Sequence, residues 1–161
     1  MTLSQIIRQQ PNATTLQRWL KKVPYAAYLG IKAEVNDNDI RFILPEDGKL
    51  IGNPTLPAIH GGVVGAFMEQ AAAFHLIAKM DKPVLPTIIN FSLDYLRPAR
   101  LCDTYAQCTL TRQGRYIGNV SVIAWQEQYE EPTAIARAHF LIRERETISC
   151  TIESPDVPQG Q

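Results

Sequence analysis

Between Gly61 and Lys79 the sequence turns apolar on almost every side. Val63-Val64-Gly65-Ala66-Phe67-Met68 and Ala71-Ala72-Ala73-Phe74 leave no polar face for solvent, the pattern of a buried helix rather than a surface one. The surrounding runs are of another kind, short and alternating. Strands joined without intervening helices make an antiparallel sheet, and one apolar helix needs cover on most of its sides. A curved antiparallel sheet wrapped around a single long helix meets both demands. The expected class is therefore α+β.

The alternating runs are specific. Ile31, Ala33 and Val35 alternate with Lys32 and Glu34, Asn36-Asp37-Asn38-Asp39 supplies a turn, and Ile40, Phe42 and Leu44 follow, which predicts a β-hairpin. A loop rich in Pro and Gly runs from Pro45 to Pro57. Four further strands are predicted at Thr87 to Leu96, Thr104 to Arg112, Tyr116 to Gln126 and Thr133 to Arg143. In the last, Ala134, Ala136, Ala138, Phe140 and Ile142 share one face, small enough for a helix to lie close against the sheet. Ahead of them, Leu3, Ile6, Ile7, Leu16, Trp19, Leu20 and Val23 suit one or two short amphipathic helices broken at Pro11-Asn12, with Pro24 ending the pattern. One domain over 1–161 is expected, with a helical extension at 1–25, a core at 26–146 and a polar tail at 147–161.

Charge and cysteine usage narrow the partners. Sixteen basic residues cancel sixteen acidic ones, which argues against nucleic acid or an anionic membrane as a partner. Cys102, Cys108 and Cys150 are an odd number without Cys-x-x-Cys spacing, so a reducing cytoplasm is the expected setting. The stretch from Val63 to Ala78 is broken by Glu69, Gln70 and His75 and reads as too short and too polar to span a bilayer. His60, His75 and His139 show no metal-ligand spacing with the cysteines, so no metal is expected. No Gly-x-Ser-x-Gly elbow and no dinucleotide or Walker phosphate loop occurs.

Glu69 is the most informative residue. It interrupts the apolar helix, its helical neighbours are Gly65, Ala66, Ala72 and Ala73, and no Lys or Arg lies within one turn. Burial without a cation disfavours the charged carboxylate and should raise its pKa, a common preparation for general base or acid work. A purely structural role, bonding a neighbouring strand or a dimer partner, stands beside that reading. His60-Gly61-Gly62 opens the same helix, where free N–H groups carry partial positive charge and glycines admit a substrate oxygen. The tripeptide is a candidate oxyanion hole, or simply a tight junction capped by His60. Gly61 and Glu69 are eight positions apart, about 12 Å along one helix, so one carbonyl could not touch both within one chain. Two such helices antiparallel across a two-fold axis would bring Glu69 of one chain beside the Gly61 amide of the other. Asn53, in Ile51-Gly52-Asn53-Pro54, is a candidate for positioning water or the acyl carbonyl, or a turn residue before proline.

Asn53…His60-Gly61-Gly62…Glu69, followed by Asp94-Tyr95-Leu96-Arg97-Pro98-Ala99, resembles the hotdog-fold acyl-CoA thioesterases of the PaaI-like group. The resemblance covers roughly Tyr28 to Arg143. It implies a hotdog fold and hydrolysis of acyl-CoA, with CoA as part of the substrate and no separate cofactor. It implies Glu69 as nucleophile or general base, Gly61 as the amide that polarises the thioester carbonyl, Asn53 as the loop asparagine and His60 as support for the loop. Gly62 and Thr87 fall in the substrate region, and Arg97, Arg100 and Arg115 are the basic residues it suggests for the CoA nucleotide. Assembly as a homodimer or homotetramer is also implied. Two positions depart from the family pattern: Asn53 stands seven residues before His60, one more than is typical, and Ile88 stands where many members carry Ser or Thr. Hotdog dehydratases or hydratases of hydroxyacyl or enoyl thioesters, and a non-catalytic acyl-CoA or fatty-acid binding module, are the alternative readings.

Overall fold

The computed structural model of the chain describes residues 12–36, 39–80 and 84–142. Helix α1 (Ala13–Lys22) starts where Asn12 caps it, its Oδ1 accepting the Thr15 N–H at 2.8 Å. A side-chain oxygen here satisfies one of the donors a helix start leaves open, worth about 1 kcal/mol. Leu16, Trp19 and Leu20 form its buried stripe. Pro24 does not end the helical region, as the sequence suggested; it opens a second short helix, α2 (Pro24–Leu29). Proline lacks only an N–H that the first helical position would leave unbonded anyway, so it is well placed there. Gly30, in the left-handed region at φ 71°, closes α2. The predicted helix pattern at Leu3–Ile7 and the tail at 147–161 lie outside the described residues.

The predicted hairpin is present as β1 (Lys32–Asn36) and β2 (Asp39–Leu44). After a short 3-10 turn at Gly48–Leu50, a small ribbon forms from β3 (Ile51–Asn53) and β4 (Ala58–Ile59). This ribbon replaces part of the loop expected over Pro45 to Pro57. The long helix α3 spans Gly61–Lys79, and the strands β5 (Thr87–Tyr95), β6 (Thr104–Gln113), β7 (Ile117–Trp125) and β8 (Ala134–Leu141) follow. The main sheet is antiparallel in the order β1-β2-β6-β7-β8-β5. With α3 against its concave face, the molecule has the hotdog fold.

Small residues set the helix-to-sheet distance. Ala106, Ala124, Ala134, Ala136 and Ala138 are all buried on the face toward α3. A Cβ placed on Gly118 of β7 would come 2.8 Å from the Leu76 side chain, so the helix reaches the sheet at van der Waals contact there. Phe42, Phe67 and Phe140 are fully buried between the layers. Burying each such side chain stabilises by roughly 1.5–3 kcal/mol. By length and composition α3 would be able to cross a bilayer, contrary to the expectation for Val63–Ala78, but 56% of that stretch is buried inside the fold. It is a core helix, because the sheet supplies the apolar surroundings.

The N-terminal helix also guards a sheet edge. Gln17 of α1 donates from Nε2 to the Ile31 carbonyl at 3.4 Å, and its Oε1 accepts the Ala33 N–H at 3.1 Å. One amide side chain thus occupies backbone groups along β1 that would otherwise invite another strand. The opposite edge, β5, is paired with no further strand among the described residues, and Ile89 on it is 54% exposed.

Candidate active site

The start of α3 is held from both sides. His60 is the N-cap, and its Nδ1 accepts the Gly62 N–H at 2.9 Å. The His60 carbonyl accepts the N–H groups of Val63 and Val64. The Gly61 N–H is then the first-turn donor that carries no bond among the described residues. The Gly61 carbonyl accepts a 2.6 Å hydrogen bond from the Tyr95 hydroxyl at the end of β5. One peptide plane, Gly61–Gly62, is therefore fixed at its oxygen by Tyr95 and at its nitrogen by His60. A Cβ on Gly61 would meet the Tyr95 ring at 3.2 Å. One on Gly52 would lie 2.6 Å from the His60 Cα, so glycine lets β3 pass directly under the capping histidine. The ribbon itself is tied down by bonds from Ile59 N–H to the Ala99 carbonyl (2.8 Å) and from Leu101 N–H to the Pro57 carbonyl (3.0 Å).

Gly61 opens into a cavity of about 360 Å³ walled by Tyr95, Leu96, Arg97 and Pro98. A larger cavity of about 680 Å³ adjoins it, sharing Ala58, Arg97, Pro98 and Thr133 as walls and adding Arg100, Gln126 and Gln128, with Glu127 and Glu131 also on its rim. Arg97 donates to the Pro132 carbonyl at 2.8 Å. Arg100 is ion-paired with Glu127 at 3.2 Å, but these side chains are 77% and 75% exposed, so the pair is weak and open to exchange for another anion. The Arg100 backbone is rigid by contrast, with its N–H bonded to Gln126 Oε1 (2.9 Å) and its carbonyl to Gln126 Nε2 (2.7 Å).

Glu69 sits two turns further along α3, about 12 Å from Gly61. It is half-buried, not enclosed, and lines a third cavity of about 340 Å³ with Gln70, Thr87 and Ile88. No Lys or Arg lines that cavity. Thr87 and Ile88 both line it, ahead of the bulge that falls between Ile88 and Asn90, so the displaced threonine does reach the wall. Within one chain, then, the amide donor and the carboxylate belong to different cavities at different levels of one helix.

The other predicted residues divide. Asn53 is exposed, and its Oδ1 is occupied in a turn, accepting from the Thr55 N–H (3.0 Å), the Thr55 hydroxyl (2.6 Å) and the Leu56 N–H (3.4 Å). Arg115 lies at the β6–β7 turn with its guanidinium 5.1 Å from the Tyr116 ring centre, and it lines none of the three cavities. Sequence reasoning missed Tyr95 and Gln126 as organising residues. Their bonds span 34 and 26 positions, and no local spacing rule reaches that far.

A profile of the thioesterase superfamily matches residues 56–133, the stretch from the ribbon through β7 that carries His60, Gly61, Glu69, Tyr95 and both cavity arginines. A protein from Chromobacterium violaceum is 38% identical, covering 83% of this chain and 93% of its own, with a TM-score of 0.66. The chain belongs to the thioesterase superfamily. Its chemistry by family is thioester hydrolysis. In fold it is similar to a phenylacetic acid degradation-related protein from Ralstonia eutropha (24% identity, TM-score 0.67, 81% of this chain and 100% of that one). It is also similar to the E. coli PaaI protein from the phenylacetic acid degradation operon (18% identity, TM-score 0.63, 73% and 86% covered). A search of curated proteins by sequence gave no match.

The Tyr95 clamp carries a prediction for this thioesterase. Tyr95→Phe removes one hydrogen bond and leaves the ring, so stability should fall by about 1 kcal/mol. Turnover should fall about three- to tenfold, chiefly in kcat, because the peptide next to the donor amide loosens. Unchanged kcat beside the expected small drop in Tm would mean that His60 alone holds the peptide.

Proposed function

We propose that this thioesterase hydrolyses acyl-CoA as a homodimer with two sites, each shared between the chains. The observation that carries the reading is the course of α3 along β5. Gly61 is bonded to Tyr95, a Cβ on Gly65 would touch Leu93 at 3.1 Å, and Glu69 shares a cavity with Thr87 and Ile88, so helix and edge strand run antiparallel. β5 is a nine-residue edge, the kind of strand that accepts another of its own sort. Pairing it antiparallel with a second copy about an axis beside Phe91 would set Tyr95 opposite the partner's Thr87. Gly61 of one chain would then stand next to the partner's Glu69, the juxtaposition that a single chain lacks.

The chemistry follows from that pairing. The joined cavities beside Arg97 and Arg100 would take the CoA, its phosphates exchanging with Glu127 on Arg100 and its thiol arm leading to Gly61. The thioester oxygen would accept the Gly61 N–H, where the helix end favours developing negative charge. Glu69 of the partner would take a proton from water as its oxygen adds to the carbonyl carbon. Collapse of the tetrahedral intermediate breaks the C–S bond and releases the thiolate, which is stable enough to leave without a strong general acid. Gly62 cannot serve as the oxyanion donor while its N–H is bound to His60. That bond leaves only His60 Nε2 for the proton transfers a dehydratase would ask of the ring.

The test is release of CoA thiol from short-, medium- and long-chain and aromatic acyl-CoAs, followed by subunit mixing. Gly61→Pro suits the backbone of the first helical position, asks the Tyr95 ring to give by a few tenths of an ångström, and deletes the one N–H proposed as donor. Gly61→Pro and Glu69→Gln should each be inactive alone, while mixed dimers regain up to half of wild-type activity, because one of their two sites carries neither change. Active mixtures are expected. Mixtures as dead as the parents would overturn the shared site, and absence of thiol release with every acyl-CoA would overturn the activity.

A further inference from the structure

The cavity at Glu69 is bounded on its inner side by core side chains. It is walled by Glu69, Gln70 and Thr87 on its polar side and otherwise by apolar groups, chiefly Ala73, Phe74, Ile77 and Ile88. Glu69, Ala73 and Ile77 follow one another a turn apart, so the space extends about 12 Å from the carboxylate along α3. Phe74, Ile77 and Phe140, which bound it, are almost fully buried members of the core and cannot withdraw without opening voids. A volume of about 340 Å³ has room for about eleven groups the size of a water molecule or a methylene.

Resting on the acyl-CoA reading above, we infer that this cavity is the acyl pocket and that it selects compact apolar acyl groups of up to about ten carbons. Ala73 sets the bore and Ile88 the width against β5. The carbonyl carbon sits at Glu69, and the tail runs toward Ile77. Each added methylene leaves water until the pocket is full, so kcat/KM should rise about fourfold per methylene at first. Beyond about ten carbons the tail must turn out past Leu85, an exposed residue on the rim, and the gain stops.

The experiment measures kcat/KM for straight-chain acyl-CoAs from butanoyl to hexadecanoyl, with phenylacetyl-CoA alongside. Affinities of the same thioesters for Glu69→Gln are measured by calorimetry. A break between eight and ten carbons is expected in both series. Ala73→Phe should lower the octanoyl-to-butanoyl ratio at least tenfold, and Ile88→Ala should move the break outward by two carbons or more. Hexadecanoyl-CoA handled as well as octanoyl-CoA, or Ala73→Phe lowering every chain by one common factor, would overturn the pocket while leaving the hydrolase intact. A chain-length break in binding with no turnover by the wild type would do the reverse, supporting the pocket and removing the hydrolase.

Discussion

Replacing Glu69 by Gln should leave a folded protein with thioester turnover lowered by about 10²- to 10⁴-fold, the usual contribution of a positioned general base. Glutamine keeps the length and shape of the side chain and one of its two acceptor oxygens, the other becoming an NH2 donor. It loses the ability to accept a proton from water. Glu69 is half-buried at a cavity wall and is bonded in no ion pair among the described residues, so the exchange leaves no charged partner stranded. Thermal unfolding should therefore stay within a few degrees of the wild type while thiol release collapses. Turnover within threefold of wild type in a well-folded Glu69→Gln would remove the carboxylate from the mechanism. The same substitution separates base from nucleophile only when joined to single-turnover hydrolysis in heavy-oxygen water: label entering the Glu69 carboxylate of the wild type marks direct attack, and label confined to the product acid marks the base.

The second large effect is on stability in acid. His75 is 4% exposed, and its Nδ1 has no hydrogen-bond partner among the described residues. Burial pushes its pKa down from 6.5 to about 4; Lys79, one turn on, pushes the same way, and Asp39 opposes them. Above pH 6.5 the ring is neutral in both folded and unfolded chains and contributes nothing to the pH dependence. Between pH 6.5 and about 4 the unfolded chain binds the proton and the native one does not, so stability falls as pH falls. Below pH 4 both are protonated and the loss is complete, at about 3 kcal/mol. His75→Leu removes the titrating group and the unbonded nitrogen together. Denaturant unfolding at pH 7, 6, 5 and 4, at one protein concentration, should show wild type and variant diverging by that amount. Parallel curves would mean that the ring takes up its proton in the native state without cost.

Much of the fold was legible in the residues, and the parts that were not share a cause. The helix α3 could be read because apolar residues on every side admit one environment, and β6 to β8 because their alternation fits a half-buried sheet. The alternating alanines of β8 even announced where that helix would lie close. The ribbon of β3 and β4 could not be read. Its strands are three and two residues long, and its stability comes from bonds to Leu50, Ala99 and Leu101 elsewhere in the chain. Pro24 was ambiguous for a related reason: a proline stops one helix or starts the next, and the packing of Ala26 and Leu29 into the core decides between them.

The candidate site divides along the same line. Placement that depends on residue type at fixed helical spacing, the capping His60, the open Gly61 amide and Glu69 two turns on, was determined by the sequence alone, since a helix converts spacing into distance. Asn53 shows the limit of that logic, because the nearest unbonded amides of its own loop claimed its oxygen. What only the tertiary structure decided was which groups meet from afar. Tyr95 clamps the Gly61 peptide, Thr87 and Ile88 face Glu69 across a cavity, and Arg97 and Arg100 border the cavities next to Gly61. Those meetings follow from the antiparallel course of a helix along an edge strand, and a local pattern of residues carries no record of it.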